Sequence, residues 1–267
     1  MSITLVLLKK ELKSIFSSWI AYATLIAFTF LNGVNFYIAM KGFITVTTMA
    51  ASPQQYAEVA RMNLVENLII PFYNQVFVLL WVIVPAITMR LFAEEKKQRT
   101  EELLLTSPIR VGEIVLAKYL AAITLITLML IPVAMFPAIV IKYSPPGTEI
   151  GPMFTGYLGL FLLGYALAAI GLFASTLTEN QLVAFIIALA IGLLFFIVSQ
   201  ATVMFDLVRI GEFINLGVLL KALSITDHFD QMLKGLLRAS NFVYFASLIG
   251  FWLWASRQSV ESARQAG

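Results

Sequence analysis

The sequence predicts an all-α integral membrane protein with six transmembrane helices, and three observations support this fold class. Hydrophobic residues make up 60% of the 267 positions and charged residues only 12%, whereas soluble domains are about one quarter charged. Several apolar segments reach the roughly 20 residues that a helix needs to cross a bilayer. A dense cluster of charges separates two of these segments. It must lie at a membrane surface, because one charge at mid-bilayer costs about 2.5–3.5 kcal/mol. Residues 1–267 are therefore treated as one transmembrane domain.

The N-terminal residues 1–18 have the apolar periodicity of a helix and carry Lys9, Lys10 and Lys13. A basic amphipathic helix of this kind is typical of a segment that lies in the membrane interface. The first membrane span is predicted at 19–40. It opens with two aromatic residues, which are common at the level of the lipid headgroups.

Five further spans are predicted downstream, at 72–91, 114–141, 153–177, 182–203 and 238–256. Pro132 and Pro137 predict a kink in the outer half of the third span. The more polar stretches 41–71 and 204–237 are predicted to lie outside the membrane. The second of them has apolar residues at helical spacing, which predicts amphipathic helices resting on the outer face between spans five and six.

Small residues recur on one face of the fourth span, at Gly164, Ala168, Gly171 and Ser175. A face of small residues lets two membrane helices approach closely. It could serve packing inside one chain or contact with a second copy, and we favour packing inside the chain.

The charged stretch between the second and third spans, residues 92–113, has the pattern of a short helix. Residues 94–105 lack Gly and Pro and are mostly good helix formers. Ser107-Pro108 has the pattern of an N-cap followed by Pro at the first helical position of the next span. We predict a helix parallel to the membrane. Its four glutamates could bind a cation, but the interleaved Lys and Arg favour a solvated or protein-docking face.

Several function classes are excluded by the residues that the sequence lacks. The absence of cysteine excludes disulfides, thiolate catalysis and cysteine metal sites. The phosphate-binding pattern Gly-x-x-x-x-Gly-Lys-Ser/Thr does not occur, and the small net charge of +3 gives no nucleic-acid footprint. The single histidine, His228, stands beside Asp227 and Asp230. A metal or proton-sensing site is conceivable there, but we favour a helix-capping or surface histidine. We predict a protein that is not an enzyme and has no cofactor of its own.

The distribution of basic residues predicts the orientation of the chain. With the N-terminus in the cytoplasm, 11 of the 18 Lys and Arg residues lie inside, as the positive-inside rule requires. With six spans, both termini and the charged stretch would then face the cytoplasm.

Three separated parts of the sequence resemble the ABC-2 type permeases. The segments 178–184 and 223–229 resemble parts of the family before its last two helices. The main resemblance lies around the charged stretch, in Pro85, Thr88-Met89-Arg90, Glu95, Thr100, Glu102-Leu103-Leu104, Thr106-Ser107-Pro108 and Lys118. Within the family, the closest match is the branch that includes the gliding-motility and nitrous-oxide-reductase maturation permeases. One departure is visible, because the family usually has Gly where this chain has Arg99.

This resemblance implies the permease subunit of an ABC transporter in the bacterial inner membrane, embedded in lipid and paired with a second copy or a close paralogue. The charged stretch would be a coupling helix that docks into a separate ATPase, present in two copies, which binds the ATP and Mg. The interface residues would be Glu94, Glu95, Arg99, Thr100, Glu102, Leu103, Leu104, Ser107 and Pro108. The alternative is a membrane anchor that transmits force to a periplasmic partner without classical transport. No residue in the spans indicates a substrate.

Overall fold

The computed structural model describes residues 3–49, 62–100, 109–143, 149–205, 209–210 and 214–266. Almost all of these residues are helical, as predicted. Two short strands, β1 (Arg209–Ile210) and β2 (Ile214–Asn215), pair antiparallel and were not predicted. The helices in chain order are α1 (Ile3–Ser17), α2 (Trp19–Thr48), α3 (Ile70–Thr88), α4 (Arg90–Lys97), α5 (Val111–Leu130), α6 (Met135–Tyr143), α7 (Ile150–Thr176), α8 (Gln181–Phe205), α9 (Leu216–Leu223), α10 (Ile225–Leu233) and α11 (Ala239–Ala266).

Five helical segments within the described residues are long and apolar enough to cross a membrane. The sixth predicted span, 238–256, corresponds to the first part of α11, a continuous helix of 28 residues. This helix is long enough to cross a bilayer but is not among the five, and polar residues such as Ser240 and Asn241 dilute its apolar stretch. The five segments are Trp19–Thr48, Val65–Lys97, Val111–Tyr143, Ile150–Thr176 and Gln181–Ala201.

The first two spans are longer than predicted, and they take up both ends of the predicted outer segment 41–71. Helix α2 continues to Thr48 instead of ending at 40. The hydroxyl of Thr48 donates a hydrogen bond of 2.7 Å to the carbonyl of Ile44. This polar side chain at the end of α2 is therefore hydrogen-bonded within its own helix. At the other end, Val65–Ile69 forms a π-helical turn that leads into α3.

The kink predicted in the third span appears as a change of helix type. The α-helical hydrogen bonding of α5 ends at Leu130, and Ile131–Ala134 forms a 3-10 turn before α6 begins. Pro132 lies in this turn. Since proline has no N–H to donate to the preceding turn, a local break of the α-helix is expected there.

Helix α7 lies at the centre of the bundle and contacts α3, α4, α5, α8, α10 and α11. Its small residues allow this crowding. A Cβ atom at Gly164 would lie 2.9 Å from Cγ2 of Ile126 on α5, and one at Gly171 would overlap the hydroxyl of Thr88 on α3. Ala168 and Ser175, the other members of the predicted small-residue face, are fully buried. The structure therefore places all four residues in contacts inside the chain.

The segment between α8 and α11 packs against the end of the bundle opposite the charged stretch. Helix α10 begins at the N-cap Ser224, whose hydroxyl accepts a hydrogen bond from the backbone N–H of Asp227. Its apolar face, which includes Phe229 and Met232, is buried and packs on α7. The hydroxyl of Thr155 on α7 donates a hydrogen bond to the carbonyl of Met232.

Candidate functional site

The charged end of the bundle begins where α3 passes into α4. Met89, between them, keeps a helical backbone conformation, so α4 continues the second span. Leu91, Phe92 and Ala93 are buried, whereas the residues from 97 to 100 are exposed. The span therefore extends past the apolar core and presents a polar turn at its tip.

This turn ends the helix earlier than predicted. The backbone N–H of Thr100 donates to the carbonyl of Glu95, and that of Arg99 donates to Lys96, both at 3.0 Å. This pair of bonds defines a Schellman motif, which requires a left-handed residue and usually has Gly there. Arg99 takes that position with φ of 56°. The helix predicted over 94–105 is therefore present at 94–97 but wrong for residues 98–100, because it ends at Lys97. The remaining residues, 101–105, lie outside the described part of the chain.

The beginning of the next helix also differs from the prediction. Helix α5 starts at Val111, with Arg110 as its N-cap, and not at Pro108. The side chain of Glu113 accepts a hydrogen bond of 3.4 Å from the backbone N–H of Arg110. This carboxylate satisfies a free backbone donor of the first turn, and its negative charge is favourable at a helix N-terminus.

A buried lysine joins three helices behind the polar turn. Lys118 on α5 has only 2% of its side chain exposed. Its Nζ lies 2.8 Å from a carboxylate oxygen of Glu95 on α4 and 3.2 Å from one of Glu11 on α1. It also lies 5.1 Å from the ring centre of Phe92. We call Glu11, Glu95 and Lys118 the ionic triad.

The ionic triad changes the expected role of Glu95. This glutamate was predicted to face a docking partner, but its side chain is only 20% exposed and pairs inside the chain. Its second oxygen is buried without a hydrogen-bond partner among the described residues. A buried charge is costly unless it is paired, so Glu95 and Glu11 both depend on Lys118. The triad therefore fixes α1 and α4 to the start of α5.

A second lysine fixes the same turn to the central helix. The Nζ of Lys96 donates a hydrogen bond of 2.6 Å to the carbonyl of Thr176 at the C-terminus of α7. A cation is favourable there, because the last carbonyls of a helix carry partial negative charge. The hydroxyl of Ser259 on α11 lies 3.5 Å from the same carbonyl. Arg264, near the end of α11, donates to the carbonyl of Ile109 at 3.2 Å.

The predicted interface residues thus divide into three groups. Glu95 is paired inside the chain, and Glu94 is half-buried beside Gln98. Arg99 and Thr100 are exposed on the polar turn. Glu102, Leu103, Leu104, Ser107 and Pro108 lie outside the described residues. The triad partners Lys118 and Glu11 were not predicted as site residues. A signal existed, because Glu11 is the one acidic residue among the lysines of residues 1–18.

His228, at the opposite end, is buried, so the prediction of a surface histidine is wrong. The alternative of a capping histidine agrees with its contact to a helix end, since its Nε2 lies 3.4 Å from the carbonyl of Ala222 in the last turn of α9. Its ring stacks on Tyr244 of α11 with centres 4.1 Å apart. Its Nδ1 lies 2.8 Å from the side-chain oxygen of Asn241. Within the described residues no group of three potential metal ligands occurs. The contacts of His228 fasten α10 to α11.

Burial raises the pKa of Asp230, two residues after His228 on α10. The charge of Lys234 opposes this rise in pKa, and the charge of Asp227 adds to it.

The sequence as a whole matches a known family. The model of the ABC-2 family transporter proteins matches residues 5–255. The chain belongs to this family. No curated protein matches the chain. As an ABC-2 family member, the chain is a multi-pass membrane protein and the membrane subunit of an ABC transporter, without a nucleotide-binding domain of its own. The family match does not separate branches, so the resemblance to the gliding-motility and nitrous-oxide-reductase maturation permeases stays a prediction.

Proposed function

We propose that this ABC-2 family chain forms a homodimeric permease that two copies of a separate ATPase drive from the cytoplasm. The observation that carries the proposal is the polar turn 97–100, which projects from the end of a span and continues into the charged residues 101–102. The chain has no phosphate-binding loop of its own. ATP and Mg would therefore bind to the partner, and the turn would receive the force.

The contacts behind the turn support this role. A force on residues 97–100 would pass directly into α4 and α3, because α4 continues α3 with a helical backbone at Met89 between them. Lys118 would carry the load to α1 and α5, and Lys96 would carry it to α7. A displacement of the turn would therefore move a set of spans together. This motion would open and close a path between two permease copies alternately.

The position of α11 supports six spans, with both termini at the cytoplasmic end. Near its start, Asn241 contacts His228 at the end of the bundle that is opposite the charged stretch. Further along, Ser259 reaches the carbonyl of Thr176 at the charged end. Helix α11 therefore runs beside α7 over the height of the bundle. An even number of crossings returns the C-terminus to the side of α1, in the bacterial inner membrane.

The proposal predicts that charged and apolar side chains of residues 97–108, which we call the docking segment, matter for ATPase binding. Reversing Glu102 to Lys, or replacing both Leu103 and Leu104 by Ala, should weaken co-purification with the partner ATPase. Removing one side of a desolvated charge pair typically costs about 2–5 kcal/mol, which is at least about thirtyfold in affinity. Glu95 is unsuitable for this test, because its reversal would also break the ionic triad.

The matched control is Glu149→Lys, since Glu149 is exposed at the opposite end of the bundle. This variant should bind the ATPase as the wild type does, and all variants should insert and dimerise normally. Unchanged ATPase binding and transport in both docking variants would show that 97–108 is only a solvated connection.

A further inference from the structure

The outward face of α1 carries a charge pattern that the proposed function does not use. Helix α1 contains three lysines and one glutamate. Glu11 points inward to Lys118 at 3.2 Å, whereas Lys9, Lys10 and Lys13 are exposed. The negative charge is thus turned into the chain and neutralised there. The exposed charges of α1 are therefore all positive.

Exposed apolar residues accompany this basic face. Ile3, Leu5 and Val6, in the first turns of α1, each have about half of their surface exposed, at 47%, 48% and 54%. Apolar residues beside lysines suit a boundary between hydrocarbon and headgroups, because a lysine can bury its stem and keep its ammonium group in water. A purely solvated helix would gain nothing from these apolar side chains.

The next helix indicates the depth of α1. Ser18 caps α2, its hydroxyl accepting a hydrogen bond of 3.3 Å from the backbone N–H of Ile20. Trp19 and Tyr22 follow, with 76% and 51% of their surfaces exposed. Exposed Trp and Tyr at the start of a span are typical of the headgroup level. Helix α1 therefore ends at the plane where α2 enters the membrane.

We infer that Lys9, Lys10 and Lys13 bind the headgroups of anionic phospholipids and select them over zwitterionic ones. The occupant is a lipid surface because charge, apolar anchors and depth agree. A basic residue near an anionic leaflet contributes about fivefold to binding. Three lysines should therefore give a preference on the order of a hundredfold at low salt. The ionic triad makes this possible by keeping Glu11 away from the surface.

The absence of cysteine from the chain allows a direct test. Leu5→Cys would carry a fluorophore in the full-length permease, reconstituted in vesicles of phosphatidylcholine with an equal amount of phosphatidylglycerol. Headgroup spin labels on one lipid or the other would report, by quenching, which lipid surrounds α1. We expect spin-labelled phosphatidylglycerol to quench several-fold more strongly than phosphatidylcholine, and high salt should remove the difference because it screens exposed charges.

Matched variants decide the source of the preference. Lys9→Gln, Lys10→Gln and Lys13→Gln together should abolish it, whereas Lys142→Gln, an exposed lysine at the opposite end, should not. A label at Ile150, also exposed there, should show equal quenching by both lipids. The melting temperature of each variant shows that it is folded.

Two results would overturn the inference. One is equal quenching by both lipids at Leu5 in the folded wild type. The other is a label that is shielded only when the ATPase is added, which would make this face a protein-docking surface. Both leaflets of these vesicles have the same composition, so the outcome does not depend on the proposed orientation or on ATPase coupling.

Discussion

Replacing Lys118 with Met should destabilise the folded permease markedly, although the two side chains are similar in length. The change removes the cation shared by Glu11 and Glu95 and leaves two carboxylates in a largely buried position. Removing one partner from a buried ion pair typically costs about 3–5 kcal/mol. Glu11 and Glu95 keep 14% and 20% of their side chains exposed, so water can relieve part of the cost. We expect a loss of about 2–3 kcal/mol.

Thermal unfolding of the purified permease measures this effect. In a chain of this size, 1 kcal/mol corresponds to roughly 2–4 °C, so Lys118→Met should lower the melting temperature by roughly 5–10 °C. Hydrogen exchange in α1 should also accelerate, because the triad holds this helix against α5. Lys142→Met is the matched control. Lys142 is exposed at the opposite end, and its replacement should change stability by less than about 0.5 kcal/mol.

Compensating variants separate the ion pair from packing around it. Glu11→Gln and Glu95→Gln, added to Lys118→Met, remove the unpaired carboxylates. Replacing a whole buried ionic group by neutral residues is often close to neutral in stability, so the triple variant should recover most of the melting temperature. If Lys118→Met unfolds at the wild-type temperature, or if the triple variant is no better, the ionic triad does not hold α1 and α4.

Two other substitutions test backbone geometry and close packing. Arg99→Gly should stabilise the polar turn by about 1 kcal/mol, since glycine adopts a positive φ without strain. Hydrogen exchange at the Thr100 amide measures this gain. Arg99→Ala, which keeps the backbone strain, should give no gain in stability. Gly171→Ala should cost about 1–3 kcal/mol because the added methyl group overlaps Thr88. Its control is Gly250→Ala, where a Cβ atom meets nothing within 4 Å. If the two variants change the melting temperature equally, the close contact between Gly171 and Thr88 is contradicted.

The fold class could be predicted from the sequence because membrane spans follow from strong local rules. A charge in hydrocarbon is so costly that apolar length alone places most spans. Helix ends were predicted less well, as at Thr48 and Lys97. There the outcome depends on side-chain hydrogen bonds and on a Schellman turn, which involve only a few kcal/mol. The departure at Arg99 was visible in the sequence, but the left-handed backbone conformation was not.

The candidate site could be predicted only in part, because the direction in which a charge points depends on tertiary contacts. Glu95 and Lys118 were both visible as members of a family pattern. Their pairing joins residues from separate helices, together with Glu11, which lies 107 positions before Lys118. His228 shows the same limit. Its burial depends on Asn241 and Tyr244 in a later helix, and no local pattern around residue 228 indicates these partners.

The two helices that flank the docking segment differ in the continuity of their helical structure, and this difference bears on how force would be transmitted. The helix that enters the segment runs without a loop over Val65–Lys97, 33 residues or about 50 Å. The helix that leaves it is interrupted by the 3-10 turn Ile131–Ala134. A push at the polar turn would therefore pass along α4 into α3, whose helix continues through Pro85, whereas the 3-10 turn separates α6 from α5. We expect the opening motion to change the angle between α5 and α6, around Pro132.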